Sequence, residues 1–136
     1  MELSECLSDR LPTLTRMNRE LYEDEKNDCI PPDDVLEQRL KNYLDQGAKA
    51  FLFEKDGETA GYALINLNAT PNYLLHFYIC REHRRSHLGT QAFHLLLKEL
   101  NTDRMDLDVL CWNERGMAFW KSLGFRERCI IMRKES

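Results

Sequence analysis

Residues 79–100 read ICREHRRSHLGTQAFHLLLKEL. The run that leads into them, residues 74–79, is short and apolar, as in a buried strand. Five positions after Ile79 the chain turns small, basic and rich in donors, at Arg84, Arg85, Ser86, His87, Leu88, Gly89 and Thr90. Beyond them Ala92, Phe93, Leu96 and Leu100 recur at the spacing of one helix face. Strand, loop and helix N-terminus in that order make an anion site. The loop and first-turn N–H groups have no intrahelical acceptor, and the helix dipole favours negative charge there. Gly89 lets a backbone approach a ligand without a Cβ in the way, and Arg84 and Arg85 add charge. The expected ligand carries phosphate. A plain strand-to-helix connection with a solvated basic loop would have the same composition. The stretch lacks the Gly-Lys-Ser/Thr of a nucleotide P-loop and, with one glycine, the dinucleotide fingerprint.

A second stretch, residues 113–125, reads NERGMAFWKSLGF. Taken together the two resemble the paired signatures of the GNAT superfamily of N-acetyltransferases. These are V-x-x-x-x-R-x-x-G-x-G/A opening a helix after a strand, then N-x-x-x-x-x-F-Y-x-x-x-G-F. Ile79 stands for the first apolar residue and Arg84 for the arginine. His87 stands where the first glycine is usual, Gly89 matches the second, and Trp120 replaces the usual tyrosine. The resemblance covers residues 51 to the C-terminus well and the N-terminal helices loosely. It implies a mixed α/β fold: a mostly antiparallel twisted sheet of about six strands, flanked by about four helices, with a splayed central strand pair. It implies acetyl-CoA as cofactor and CoA as product. Main-chain groups at Phe77 and Ile79 would pair with the pantetheine arm, and residues 84–90 would hold the pyrophosphate. Asn113 would touch the arm where the central strands part. Phe119 and Trp120 would face the thioester end.

The 136 residues are expected to form one domain, spanning residues 1–136 and large enough to bury roughly two-thirds of its unfolded surface. Hydrophobic content of 43% with 31% charged residues fits a globular chain rather than a disordered one. No apolar run approaches the ~20 residues that span a bilayer, and the first residues, MELSE, lack the basic start of a signal segment. A cytoplasmic location and no membrane partner are therefore expected. Five cysteines without C-x-x-C spacing suit free thiols. A net charge of −4 argues against a nucleic-acid partner. The basic cluster Arg81, His83, Arg84, Arg85 suits a small phosphorylated ligand instead.

Leu7, Leu11, Leu14, Met17 and Leu21 mark a first amphipathic helix, from about residue 8 or 12 to about 25, with Pro12 in its first turn. It closes on Glu23, Asp24 and Glu25, where carboxylates meet the negative end of the dipole at a cost of ~0.3–1 kcal/mol each. That placement reads either as a frayed, solvated end or as a negative rim that attracts a cationic amine. Asp34 and Glu37 resemble a capping box for a second helix, which Gly47 would stop. Strands are expected over 50–54 and 59–67, joined by an Asp56-Gly57 hairpin turn, then over 73–80, 106–112 and 125–133. A short helix is expected over 114–123.

Acetylation of an amine by a thioester is direct attack. It requires a held carbonyl, an oriented neutral amine and a route for one proton. His76, on the central strand, is a candidate base with an ordinary pKa of ~6.5, or else a hydrogen-bonded core histidine. No metal is expected, because His83 and His87 lie four apart in a loop and nothing completes a tetrahedral set. Cys111 has no activating neighbour in sequence and reads as a small hydrophobe. Trp120 has no acidic proton to give a departing thiolate. Two functions remain open: an acetyl-CoA-dependent N-acetyltransferase acting on an amine, or a non-catalytic acyl-CoA-binding module on the same fold. The acceptor is not legible, and either a monomer or a homodimer is compatible with the sequence.

Overall fold

The computed structural model describes residues 1–6 and 8–136; Leu7 and the side chains of Ser8, Arg85 and Ser86 lie outside the described residues. Strands β1 (Glu2–Glu5), β2 (Lys49–Lys55), β3 (Glu58–Asn66), β4 (Tyr73–Ile79) and β5 (Asp106–Leu107) form one sheet in that order. Every neighbouring pair is antiparallel except β4 and β5, which run parallel. Side chains sort by parity along the regular stretches of the strands. On β2, Ala50 and Leu52 enter one apolar cluster and Phe51 and Phe53 the other. On β3, Tyr62 and Leu64 take the first side, Ala63 and Ile65 the second. With both faces covered, these strands read as unbroken apolar runs rather than alternating ones.

Helices supply the covers. On α1 (Leu11–Asp24), Leu11, Leu14, Met17 and Leu21 form the buried stripe against the first face, joined by Leu40 of α2 (Asp33–Asp45). On α3 (Leu88–Leu100), Leu88, Ala92, Phe93 and Leu96 cover the second face, and α4 (Glu114–Ser122) adds Trp120 beside them. Each fully buried leucine or phenylalanine contributes about 1.5–3 kcal/mol relative to exposure. The Asp56-Gly57 turn has φ +53° and +81°, the pair of left-handed residues that a two-residue hairpin of this twist requires. Gly47 (φ +99°) and Gly124 (φ +96°) end α2 and α4 as expected.

Several local expectations are corrected. The capping box does not form: α2 starts after an extended Pro32, without a side-chain cap. Asp33 is drawn instead into an ion pair with Arg19 of α1. The sheet has five strands rather than six. β1 was not foreseen, because Leu3 is its one apolar residue and its partner lies some fifty positions away. The strand expected over 106–112 stops at Leu107, and the closing strand expected over 125–133 does not join the sheet. Neither stretch has a strand beside it: β4 and β5 pair only through Tyr73–Asp106 and Leu74–Leu107.

Gly61, on β3, leaves no room for a side chain beside β4. A Cβ built there would sit 2.0 Å from the Tyr78 carbonyl oxygen. Gly61→Ala is expected to cost about 1–3 kcal/mol, as overpacking does. Urea unfolding measures it; a loss within error of zero would mean that β3 and β4 have slack here.

Candidate acetyl-CoA and acceptor site

The site begins with a bulge. Leu64 opposes His76 but Ile65 opposes Leu74, so Leu75 is an extra residue on β4. A bulge bends and twists its strand, and β4 leaves β5 at this point. Backbone direction beyond it follows from one bond. Cys80 N–H donates to Ala60 O at 2.7 Å, toward β3. Tyr78 and His76 therefore also face β3, while Phe77 and Ile79 turn their N–H and C=O to the side that β5 has vacated. The Ile79 carbonyl is already taken, by Arg84 Nε at 2.8 Å.

The basic stretch forms a 3-10 turn, Arg81–Ser86, rather than an open loop. His87 follows with φ +57°, in the left-handed region. That explains why a glycine suits the position and marks His87 as a strained substitute. The N–H groups of Leu88, Gly89 and Thr90 precede the first intrahelical bond, from Gln91 N–H to His87 O at 3.2 Å. They are first-turn donors of α3 without an intrahelical acceptor. Gly89 has a reason inside the protein as well: a Cβ there would lie 3.2 Å from the Phe119 ring. The glycine lets α4 pack onto the start of α3. The side chains of Arg85 and Ser86 lie outside the described residues.

Arg84 is not free either. Its guanidinium sits 5.2 Å over the Tyr78 ring and pairs with Asp24 as well as with Ile79 O. Arg81 reaches the same carboxylate at 2.7 Å and Glu23 at 3.3 Å. Burial pushes the Asp24 carboxyl up, but hydrogen bonds from Arg81 and Arg84 outweigh it and hold the carboxyl below its ordinary value. Two of the three rim carboxylates are thus spent on fastening α1 to the turn after β4. Glu25 differs. Burial, then the Asp24 charge, raises it from 4.5 to about 7.

His76 is 8% exposed and lies edge-on to the rings of Tyr22, Tyr43 and Tyr62. Its Nδ1 is 3.1 Å from the Tyr62 hydroxyl, and burial lowers its pKa to about 4. It is neutral at pH 7 and of low basicity. Trp120 stands among Phe77 (5.2 Å between centroids), Phe93 (5.4 Å), Phe119 (4.8 Å) and Phe125 (5.3 Å). Phe119 lies stacked on Phe77. The two aromatic residues of the second motif therefore seat α4 over the middle of β4. Asn113 caps α4, its Oδ1 accepting from Gly116 N–H at 3.0 Å. Trp112 Nε1 donates to Lys26 O at 3.0 Å, closing the gap between the loops that follow β5 and α1. That contact and the Asp24–Arg84 pair were not foreseen; their partners are 86 and 60 residues apart.

The Glu25 shift has a sign that can be measured. The folded carboxyl keeps its proton to about pH 7, whereas its ordinary value is 4.5. Between those values the folded state binds more protons, so this group's contribution falls as pH rises. His76, lowered from 6.5 to about 4, works the other way across an overlapping range. Glu25→Gln separates the two. Its stability relative to the parent is expected to climb from pH 4.5 to 7 and then level off. Urea unfolding across that range tests this; a pH-independent difference would place Glu25 in open water.

The model of the family described as Acetyltransferase (GNAT) matches residues 12–125. No curated protein sequence matches the chain significantly. Among solved structures, a possible acetyltransferase from Clostridium difficile 630 superposes with a TM-score of 0.76 at 21% identity, over 99% of this chain and 96% of that one. An aminoglycoside 6'-N-acetyltransferase from Acinetobacter haemolyticus gives 0.73 at 17% identity, over 100% and 99%. The aminoglycoside acetyltransferase AAC(6')-Iy, solved with a CoA-linked bisubstrate analogue, gives 0.72 at 18%, over 99% and 98%. These likenesses bear on the fold, while the family model, spanning most of the sequence, fixes membership: the chain belongs to the GNAT acetyltransferase family.

Proposed function

We propose that the protein transfers the acetyl group of acetyl-CoA to a primary amine by direct attack, and that the acceptor is cationic. The observation that carries this reading is the parting of β4 from β5 beside the N-terminus of α3. It leaves main-chain donors and acceptors of Phe77 and the Ile79 N–H on an open edge that an extended amide-bearing arm can pair with, as an added strand would. The first-turn amides of α3 suit a pyrophosphate. Acetyl-CoA bound there would supply an activated acyl group as its thioester.

The remaining roles fall to this chain's own side chains. With Glu23 and Asp24 engaged by Arg81 and Arg84, Glu25 is the carboxylate left to meet an ammonium group. At about 7, its pKa suits taking a proton near neutral pH. His76 would orient Tyr62 rather than carry the proton, given its value near 4. Trp120 would pack under the thioester end. An indole N–H is a donor and not an acid, and a thiolate of ordinary pKa, ~8.5, leaves without one.

Acetyl-CoA offered with polyamines, aminoglycosides, amino acids and peptide N-termini is expected to release CoA with at least one cationic class. CoA binding without release across the whole panel would establish the non-catalytic reading instead. With the active acceptor, Glu25→Gln should lower kcat by about 10²–10⁴-fold, remove the rise of rate near pH 7 and leave the acetyl-CoA KM unchanged. Loss of acetyl-CoA affinity instead would place Glu25 with the cofactor. The neighbouring carboxylate should behave oppositely. Asp24→Asn frees Arg84 and Arg81, so its thermal shift with CoA should shrink. An undiminished shift would show that the Asp24 anchor does not hold the anion-facing turn.

A further inference from the structure

Trp112 presents an aromatic surface that is both open and rigid. The residue is 47% exposed, yet its Nε1 donates to Lys26 O at 3.0 Å. The backbone beside it is pinned as well. Asn113 N–H donates to Leu110 O at 2.8 Å, which closes a tight turn, and the Asn113 side chain caps α4. The acceptor of the indole is equally fixed. Lys26 has φ +55° at the end of α1, where its own N–H donates to Glu23 O and Asn27 N–H donates to Tyr22 O. That is the left-handed helix stop more often given to glycine. A half-exposed indole held in this way offers a ligand a large contact face at little ordering cost.

Its neighbours say what that ligand would be. Lys26 directly follows Glu25, the rim carboxylate that neither Arg81 nor Arg84 holds. Tyr22 lies three positions before Glu25, on the same side of α1. The charge of Glu25 acts on the Tyr22 hydroxyl, and so does Tyr43 of α2. Aromatic rings therefore stand on the α1 and α2 side too. Charge in this region is close to balanced. Asp28, in the loop after α1, shares that segment with Lys26, and Glu114, which opens α4, is followed by Arg115. Arg39 of α2 is near enough for its charge to act on Tyr22. Glu25 and the negative end of the α1 dipole suit one ammonium group. The further charges of a polycation would meet no surplus of carboxylates here.

We infer, building on the acetyl transfer proposed above, that Trp112 is the specificity-determining wall of the acceptor subsite and selects a singly charged primary amine with an apolar ring or alkyl body. The body lies on the open face of the indole and the ammonium group reaches Glu25. Amines of several charges are disfavoured by the charge balance around Glu25 rather than by their size. An apolar body with one polar group is what an aromatic-lined site with few polar partners recognises.

Steady-state kinetics of the full chain with acetyl-CoA and 2-phenylethylamine, ethylamine or spermidine tests this. The parent is expected to favour 2-phenylethylamine over each of the others by about tenfold or more in kcat/KM, the scale on which an apolar pocket discriminates. Trp112→Ala should raise the KM for 2-phenylethylamine about tenfold and change that for ethylamine far less, so that the preference collapses. Trp112→Phe keeps an aromatic face but lacks the donor to Lys26, and should retain most of the preference. A parent that favours spermidine would overturn the inference and leave acetyl transfer standing. So would an equal loss for ethylamine and 2-phenylethylamine in Trp112→Ala, or a loss in Trp112→Phe as large as in Trp112→Ala, because either makes the indole a strap between two loops. If no amine is turned over, the acetyl-transfer reading fails, and calorimetry on the acetyl-CoA-loaded protein decides the subsite separately. Binding of 2-phenylethylamine that Trp112→Ala abolishes upholds it, and no binding by the parent overturns it.

Discussion

The extra residue at Leu75 governs much of what surrounds it. Before the bulge, β4 is held on both sides, by β3 and by β5. After it, only β3 remains. Backbone groups in a half-buried position rarely stay unpaired, so an open strand edge inside a folded protein is either covered by more protein or kept for a ligand. Here the protein covers one group itself, the Ile79 carbonyl, with Arg84. The groups of Phe77 remain. The aromatic stack of Phe77, Phe119 and Trp120 holds α4 over this place. The chain between β5 and α4 must then run up to α4 instead of continuing beside β4, so the same packing that seats the helix keeps the strands apart.

Two adjacent carboxylates on one helix end acquire opposite characters from their surroundings. Asp24 is drawn down by two guanidinium groups and stays charged. Its charge, added to burial, then lifts Glu25 into the neutral range. Pushing neighbouring titratable groups apart in this way is how one site obtains both a fixed anion and an exchangeable proton. The arrangement also removes the destabilisation expected of carboxylates at a helix C-terminus, because Asp24 answers to Arg84 and Arg81 rather than to the dipole.

What the sequence discloses is what local physics decides. The stripe of α1, the Asp56-Gly57 turn, the helix stops at Gly47 and Gly124 and the apolar runs of β2, β3 and β4 each follow from spacing or from a residue's own backbone preference. The glycine and arginine positions of the first motif identify the family, but not the jobs these side chains do in this chain. Gly89 answers to Phe119 across the fold, and Arg84 answers to Asp24, 60 residues away. Spacing along the chain carries no record of such pairs. The same holds for β1, whose Glu-Leu-Ser-Glu has no strand pattern of its own and is ordered by pairing with β2. For His76 both readings are legible in the sequence, whereas its burial against three tyrosines is not, because those partners lie on α1, α2 and β3.

The departure from the motif at His87 fits the same logic. A residue with a Cβ in the left-handed region carries strain of about 1–2 kcal/mol, and the surroundings must hold it there. On one side, the 3-10 turn is fixed by Arg81 and Arg84 through Asp24. On the other, α3 is fixed by Leu88, fully buried, and by Gly89 under Phe119. His87 is caught between two anchored segments, so its backbone is imposed from both ends. A glycine would supply that conformation by its own preference. This chain supplies it through the salt-bridge anchor on α1, and the shape of the turn before α3 therefore depends on residues of the N-terminal helix that no motif in the turn records.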